Sequence, residues 1–194
     1  YKGDYLEING ATVWTEGQPI GKFYMREIDH IVQDKAEIDK LVSEGWTFSP
    51  SRPEPGDFLY KDLNNDKRID DKDRVLKGQP LPLFTFGGSI AFSYKNFDLS
   101  ALFSGVSGWD RYLSTGIFSL TNADTERLFL KKFQNQWSET NRNTNIPKLY
   151  ASNEKNNQVS DYYLYDASFL RLKTLQLGYT LPKNLIPKVR IRAY

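Results

Sequence analysis

The chain has 194 residues and balances 26 Lys and Arg against 24 Asp and Glu, with no basic stripe interleaved with aromatics, which excludes the footprint of a nucleic-acid binder. It has no cysteine and one histidine, His30, so it holds no disulfide framework, no cysteine zinc site and no histidine pair for zinc, and a histidine-based triad is disfavoured. Twelve Tyr and twelve Phe occur in a chain whose mean hydropathy is −0.59, and no run nears the roughly 18 apolar residues of a membrane helix.

Being aromatic and polar together is a property of membrane β-barrels, where lipid-facing residues alternate with lumenal ones and aromatics gather at both interfaces. Tyr1-Lys2-Gly3-Asp4 carries no basic region followed by an apolar core, and the chain stops within an alternating pattern at Val189-Arg190-Ile191-Arg192-Ala193-Tyr194. It therefore reads as a portion of something longer.

Taken in order, Tyr1 to Ile8 predicts a short strand, followed by turns at Asn9-Gly10 and Glu16-Gly17. Lys22-Phe23-Tyr24-Met25-Arg26 predicts another strand, and His30 reads as a surface or loop histidine. A short helix is expected from Asp34. Asp34 and Glu37 make a capping-box-like start, Ile38, Leu41 and Val42 share a face, and Gly45 ends it. Trp46 to Pro55 is a proline-containing connector.

The stretch 56–74 is the one place where oxygen ligands recur at a metal-loop spacing. With Asp62 as position 1, Asn64 stands at 3, Asp66 at 5, Arg68 (through its carbonyl) at 7, Asp70 at 9 and Asp73 at 12, and Ile69 is the apolar eighth residue. Ca²⁺ takes roughly 6–8 oxygens, which alternate residues of a tight loop can supply. Lys67 occupies the sixth position, where the sharp turn normally calls for Gly. The alternative is a solvated acidic turn whose Asp and Asn side chains satisfy their own backbone.

After Pro80-Leu81-Pro82, which forbids regular ladder pairing, the clearest strand begins. Phe86, Gly88, Ile90, Phe92 and Tyr94 hold one parity, and Gly87, Ser89, Ala91 and Ser93 the other. Lys95-Asn96 makes a tight turn, and the chain returns with Phe97, Leu99, Ala101 and Phe103 on one face. A soluble sandwich would also alternate. Here, though, the second face is small and uncharged, and a short turn flanked by Tyr94 and Phe97 matches the periplasmic end of a barrel hairpin.

The region 107–166 is polar and long, with a second helix predicted over Ala123–Ser138 (Phe129, Phe133 and Trp137 at helical spacing). In a barrel such a region is an extracellular loop. A final hairpin is expected from Ser168 to Tyr179, turning at Leu181-Pro182-Lys183-Asn184 and returning from Lys188. Apolar parity changes between Leu170/Leu172 and Leu175/Leu177/Tyr179, so either a bulge lies near Lys173-Thr174 or the strand leaves the membrane there. Val189, Ile191 and Ala193 then oppose Arg190 and Arg192.

Several segments in this order resemble the C-terminal part of SusC/RagA-type TonB-dependent outer-membrane transporters of Bacteroidetes. They are Glu16 to Tyr24, the acidic Asp57–Arg74 stretch, Pro80-Leu81-Pro82 with Phe86-Gly87, Tyr94 to Ser100, Ser168 to Lys173, and Leu177 to Pro182. Together they cover nearly the whole chain. Asn65 and Lys67 depart from the small-residue pattern usual in the acidic loop.

The resemblance implies a mainly β chain: antiparallel strands of a large transmembrane β-barrel of about 22 strands, with long extracellular loops carrying short helices. It implies outer-membrane location in a Gram-negative, Bacteroidetes-like cell. It also implies contact with membrane lipid and import of oligosaccharides or peptides driven through TonB, with a SusD-like surface lipoprotein as lid. The plug domain and the TonB-contacting segment are absent from this chain. No catalysis is implied, and a carboxylate-based hydrolase finds no paired carboxylates on a defined scaffold. The competing expectation is a soluble β-rich calcium-binding module that docks carbohydrate or protein, with Trp46, Trp109 and Trp137 as stacking platforms.

Overall fold

The computed structural model describes residues 7–115, 118–120, 131–150 and 155–182. In chain order the elements of its first stretch are β1 (Glu7–Asn9), β2 (Thr12–Trp14), β3 (Lys22–Arg26), β4 (Ile28–Ile31), α1 (Lys35–Ser43), β5 (Thr47–Phe48), β6 (Phe58–Tyr60), β7 (Arg68–Ile69) and β8 (Arg74–Lys77). There follow β9 (Phe84–Tyr94), β10 (Phe97–Ser107), β11 (Asp110–Tyr112), β12 (Leu164–Asp166) and β13 (Phe169–Tyr179). The protein is mainly β, with α1 the one α-helix among the described residues, and its sheets are antiparallel apart from the short pair β5–β7. The described residues form no closed barrel. The chain divides into two compact units, residues 1–81 with 110–166, and residues 82–109 with 167–194.

The first unit is a lobe of short strands. Its largest sheet has the order β1-β2-β3-β8, and three two-stranded pairs, β4–β6, β5–β7 and β11–β12, complete it. The Asn9-Gly10 turn joins β1 to β2, with Gly10 at φ 60°, a left-handed conformation that glycine adopts without a Cβ clash.

Helix α1 begins where the sequence places it. Asp34 is its N-cap residue and Gly45, at φ 91°, lies just past its end. The expected capping box does not form. Asp34 makes no side-chain cap bond; its carboxylate pairs with Arg142 at 3.0 Å, and Glu37 turns to His30. Ion pairs to Arg142 and His30 stand in place of the local cap. Ile38 is the buried residue of the helix and packs with Val32 and Leu59.

The main core joins Ile31, Phe58, Tyr60 and Ile69 to Leu120, Phe133, Trp137, Ile146 and Tyr163. The 107–166 region, polar on average, thus contributes Leu120, Phe133, Trp137, Ile146 and Tyr163 to the inside of the lobe. Hydrogen bonds from backbone N–H groups hold the two segments together: Phe58 N donates to the Asn156 side-chain Oδ1 at 2.8 Å, Arg26 N to the Val159 carbonyl at 2.9 Å, and Lys148 N to the Gly56 carbonyl at 2.8 Å. Of the predicted second helix, residues 121–130, Phe129 included, lie outside the described residues. Lys131–Asn135 is a short 3-10 helix, and Phe133 and Trp137 are buried.

The second unit is a three-stranded antiparallel sheet of order β13-β10-β9. Tyr94 pairs with Phe97 across the Lys95-Asn96 turn, in which Lys95 takes φ 53°. The hairpin reads as the sequence predicts but is longer, reaching Phe84 and Ser107. The returning strand expected from Lys188, with Arg190 and Arg192, lies outside the described residues.

Candidate functional site

The register of the second unit fixes what each face carries. Along one face run the rows Tyr94–Phe97–Tyr179, Phe92–Leu99–Leu177, Ile90–Ala101–Leu175, Gly88–Phe103–Leu172 and Phe86–Gly105–Leu170. Along the other run Ser93–Asp98–Gly178, Ala91–Ser100–Gln176, Ser89–Leu102–Thr174 and Gly87–Ser104–Arg171. The first face holds no charge in any of its five rows. The second is built largely of small and polar side chains.

This separation depends on one residue. Leu102 pairs with Thr174 and Phe103 with Leu172, so Lys173 is an extra residue in β13 with no partner of its own. The bulge falls where the parity change in the sequence allows for one. Without it, Leu170 and Leu172 would lie opposite Leu175 and Leu177, because side chains alternate with period two. With it, all four leucines share a face, and Arg171 falls on the polar one.

The apolar face is bare. Ile90 is 65% exposed and Leu177 75%, and every residue of β9 is exposed. Removing one such side chain from water is worth about 1.5–3 kcal/mol, so the face requires an apolar cover. At the turn end Phe97 and Tyr179 rings lie 4.6 Å apart, Tyr94 stands beside them, and Lys95 Nζ sits 5.3 Å over the Tyr94 ring. Aromatic bodies with a lysine at the rim suit a boundary between oil and water.

The acidic loop, in the lobe, is a set of nested turns. Asp62 Oδ1 accepts from Asn65 N at 2.7 Å, and its Oδ2 from Lys67 N at 2.9 Å. Asn64 Oδ1 accepts from Asp66 N, and Asp66 Oδ1 from Arg68 N, both at 2.9 Å. Asp70 Oδ1 accepts from Lys72 N at 2.7 Å. Asp73 is buried, and its two oxygens accept from Leu63 N and Asp70 N at 2.9 Å each. Among the described residues no group of three or more His, Asp or Glu side chains is gathered closely enough to hold a metal ion. Lys67 nonetheless takes φ 62° and Asn65 φ 60°, so the chain makes the sharp turn with lysine in the glycine position.

Beside this loop an open cleft of about 670 Å³ is lined by α1, by the β6 end and by the loop itself, and includes His30, Glu37, Trp46, Lys61 and Asp62. His30 is exposed, as a surface histidine is expected to be, and it lies in strand β4, not in a loop. Its Nδ1 is 2.8 Å from Asp29 Oδ2 and its Nε2 2.5 Å from Glu37 Oε1. Burial opposes the imidazolium, but the carboxylates of Glu37 and Asp29 outweigh it and hold the group above the ordinary histidine range. Sequence reading missed this cluster because Glu37 joins Asp29 and His30 only when α1 folds back on β4. Of the three tryptophans considered as platforms, Trp137 is buried in the core, its Nε1 donating to Gln33 Oε1 at 3.0 Å, and Trp46 lines the cleft.

Under the loop sits a buried arginine. Arg26 donates to the Ser49 carbonyl at 2.7 Å and to Asp71 Oδ1 at 3.0 Å, and its guanidinium lies 5.6 Å over the Tyr60 ring. Burial opposes the Asp71 charge, yet Arg26 and Arg74 hold its carboxyl below the usual range. Nearby, Lys77 bridges Glu27 at 2.6 Å and Asp161 at 2.8 Å, tying β8 to both chain segments of the lobe.

No helix among the described residues is long and apolar enough to cross a membrane, which says nothing of strands. No protein-family model matches the chain. Among curated proteins it is 32% identical to TonB-dependent receptor P3 of Formosa agariphila, over 98% of this chain and 19% of that protein. It is 32% identical to TonB-dependent receptor P26 of the same organism, over 66% of this chain and 13% of that protein. It is 29% identical to TonB-dependent receptor SusC of Bacteroides thetaiotaomicron, over 65% of this chain and 12% of that protein. The chain thus spans about a fifth or less of the length of these relatives.

Proposed function

The chain belongs to the SusC-type TonB-dependent receptors as a segment of one, and from that premise we propose that its three-stranded sheet is a piece of a transmembrane barrel wall in the outer membrane. Its apolar face meets lipid and its polar face meets the lumen. The observation that carries this reading is the uncharged face kept continuous by the Lys173 bulge. Strands of this length span about 36 Å, and at the roughly 45° tilt of membrane strands that covers about 25 Å, the height of a barrel's apolar band. The two-residue Lys95-Asn96 turn, rimmed by aromatics, is then periplasmic, and residues 56–74 and 107–166 belong to extracellular loops.

In this reading the whole protein imports an oligosaccharide or peptide, powered through TonB, with a SusD-like lipoprotein as lid, and carries out no catalysis. Cell fractionation of the full-length protein, with a boiled and an unboiled sample on a detergent gel, tests the location and the barrel. Outer-membrane recovery with a mobility shift on boiling supports both. Recovery in the soluble fraction with no shift overturns them and favours the soluble calcium-binding module.

A second reading concerns the acidic loop, and the φ of Lys67 favours it. We propose that Asp62, Asn64 and Asp66 side chains, the Arg68 carbonyl, and Asp70 and Asp73 hold Ca²⁺, which would add charge neutralisation to a turn already formed. Calorimetric titration with CaCl₂ tests it. Heat that saturates and is lost in Asp62→Ala supports a site; no heat in the parent leaves a turn that satisfies only its own backbone.

A further inference from the structure

In β4, Ile28 pairs with Tyr60 and His30 with Leu59, so Asp29 is an inserted residue. Bulges re-aim side chains, and they cluster beside functional sites. Here the insertion brings Asp29 and His30, which regular alternation would send to opposite faces, into contact at 2.8 Å. From the other side Glu37, in the first turn of α1, reaches the second ring nitrogen at 2.5 Å. His30 therefore joins a strand to a helix, and all three residues line one wall of the cleft beside the acidic loop.

We infer that His30 is a proton-operated latch: with both ring nitrogens protonated it clasps α1 to the bulged strand and narrows the cleft, and on losing a proton it releases that wall. Both nitrogens face carboxylates, so only the imidazolium can donate to both at once; the neutral ring leaves one carboxylate facing a lone pair. The other charged groups of the cleft are Lys40 and Glu44 on α1, Lys61 after β6, and Asp62 and Lys67 in the loop. Lys61 is held by Glu27 at 3.2 Å, and Lys67 Nζ donates to the Glu44 carbonyl at 3.1 Å, so neither cation takes His30's carboxylates. Ile38 keeps the inner side of the helix anchored on Val32 and Leu59. The latch therefore governs the first turn and the cleft wall, not the fold.

The sign follows from the raised folded-state value. The clasp contributes fully below the unfolded histidine value, 6.5, and is lost as pH rises through the higher folded value. The device reads the pH of whatever medium fills the cleft.

The test is NMR of the full-length protein in detergent with ¹³C-labelled histidine, the His30 signal being assigned by its disappearance in His30→Gln. In parallel, hydrogen exchange of the amides of residues 35–39 is followed from pH 5.5 to 8.5, corrected for intrinsic rates. The imidazole is expected to titrate above 6.5, to drop in Glu37→Gln, and to drop by less in Asp29→Asn. Protection of 35–39 is expected to fall about two- to fivefold across the range, the size of an exposed charged pair, and to become flat in Glu37→Gln. Titration at or below 6.5 in the parent overturns the latch. So does a protection change that persists undiminished in Glu37→Gln. Lys40→Ala, on the same helix, serves as a folding control and should keep the parental profile. None of these readouts depends on transport.

Discussion

The ring of Phe86 lies directly over Gly105 on the neighbouring strand: a Cβ built on that glycine would come within 2.4 Å of the ring and 2.8 Å of the Phe169 carbonyl. The glycine is where the apolar face lets an aromatic lie flat across the hairpin. Gly105→Ala must push the ring aside and strain the β10–β13 ladder, at a cost of about 1–3 kcal/mol. The check is the temperature at which the full-length protein loses its gel-mobility shift, which should fall in Gly105→Ala and stay level in Gly88→Ala, where the added methyl meets nothing within 4 Å.

Charge should sort the two faces. Ile90→Arg places a cation in the middle row of the apolar face, where a lipid-facing arginine costs about 2–4 kcal/mol. Ser89→Arg, one residue away, points to the polar face and should assemble nearly as the parent does. Yields of heat-modifiable protein in outer-membrane fractions would compare them, and equal yields would contradict the assignment of faces.

The bulge makes a sharper prediction. Deleting Lys173 joins Leu172 to Thr174, so the pairs Phe103–Leu172 and Leu102–Thr174 become consecutive and every leucine keeps its face. The deletion should assemble. Deleting Gln176 instead uses up the bulge: Lys173 takes the place opposite Leu102, and Thr174 and Leu175 fall opposite Ala101 and Ser100, so Leu175 leaves the apolar face. That variant should be lost from the membrane fraction.

Acid should loosen the lobe through Asp71. Its carboxyl is held below 3.8, so its contribution is present above the unfolded value and is lost as pH falls through the lower folded one. In an acid titration followed by tryptophan fluorescence, Asp71→Asn should be less stable than the parent near neutrality and should lack part of the parent's decline below about pH 4. The difference should be small, because the Asp71 side chain is 74% exposed. Arg26→Ala should cost more, about 2–5 kcal/mol, through the space a fully buried side chain leaves behind.

Sequence carried the sheet further than the lobe. Strict alternation in Phe86–Tyr94 and its reversal between Leu172 and Leu175 are local signals, and they located a hairpin, two faces and a bulge. The same period-two pattern could not state the strand ends: Phe84 continues it before Phe86, whereas Val106 falls on the opposite face and breaks it although β10 runs on to Ser107. In the lobe, position-by-position reading located α1 by its N-cap residue and closing glycine. It expected Asp34 and Glu37 to cap the helix locally, whereas Arg142, far away in sequence, takes Asp34 and His30 of the preceding strand takes Glu37. The core was illegible for the same reason: Phe133 and Trp137 look like one face of a helix, and what buries them is the segment around Phe58, some eighty residues earlier. The oxygens of the acidic loop were found by spacing alone. That Lys67 bends as a glycine would is a backbone property that residue type argues against.

The lobe's two halves, up to residue 81 and from residue 110, are separated by the β9–β10 hairpin, yet Phe58 is bonded to Asn156 and Arg26 to Val159. An order of events follows during synthesis. Half of the lobe must wait, with Phe58 and Tyr60 uncovered, while about thirty residues of greasy strand emerge, and it closes only when the stretch near Tyr163 arrives. Loop closure of that span is costly and slow compared with a local hairpin. In the interval the chain offers two unprotected apolar surfaces at once, which makes this segment the part of the chain most open to misassembly before the lobe closes.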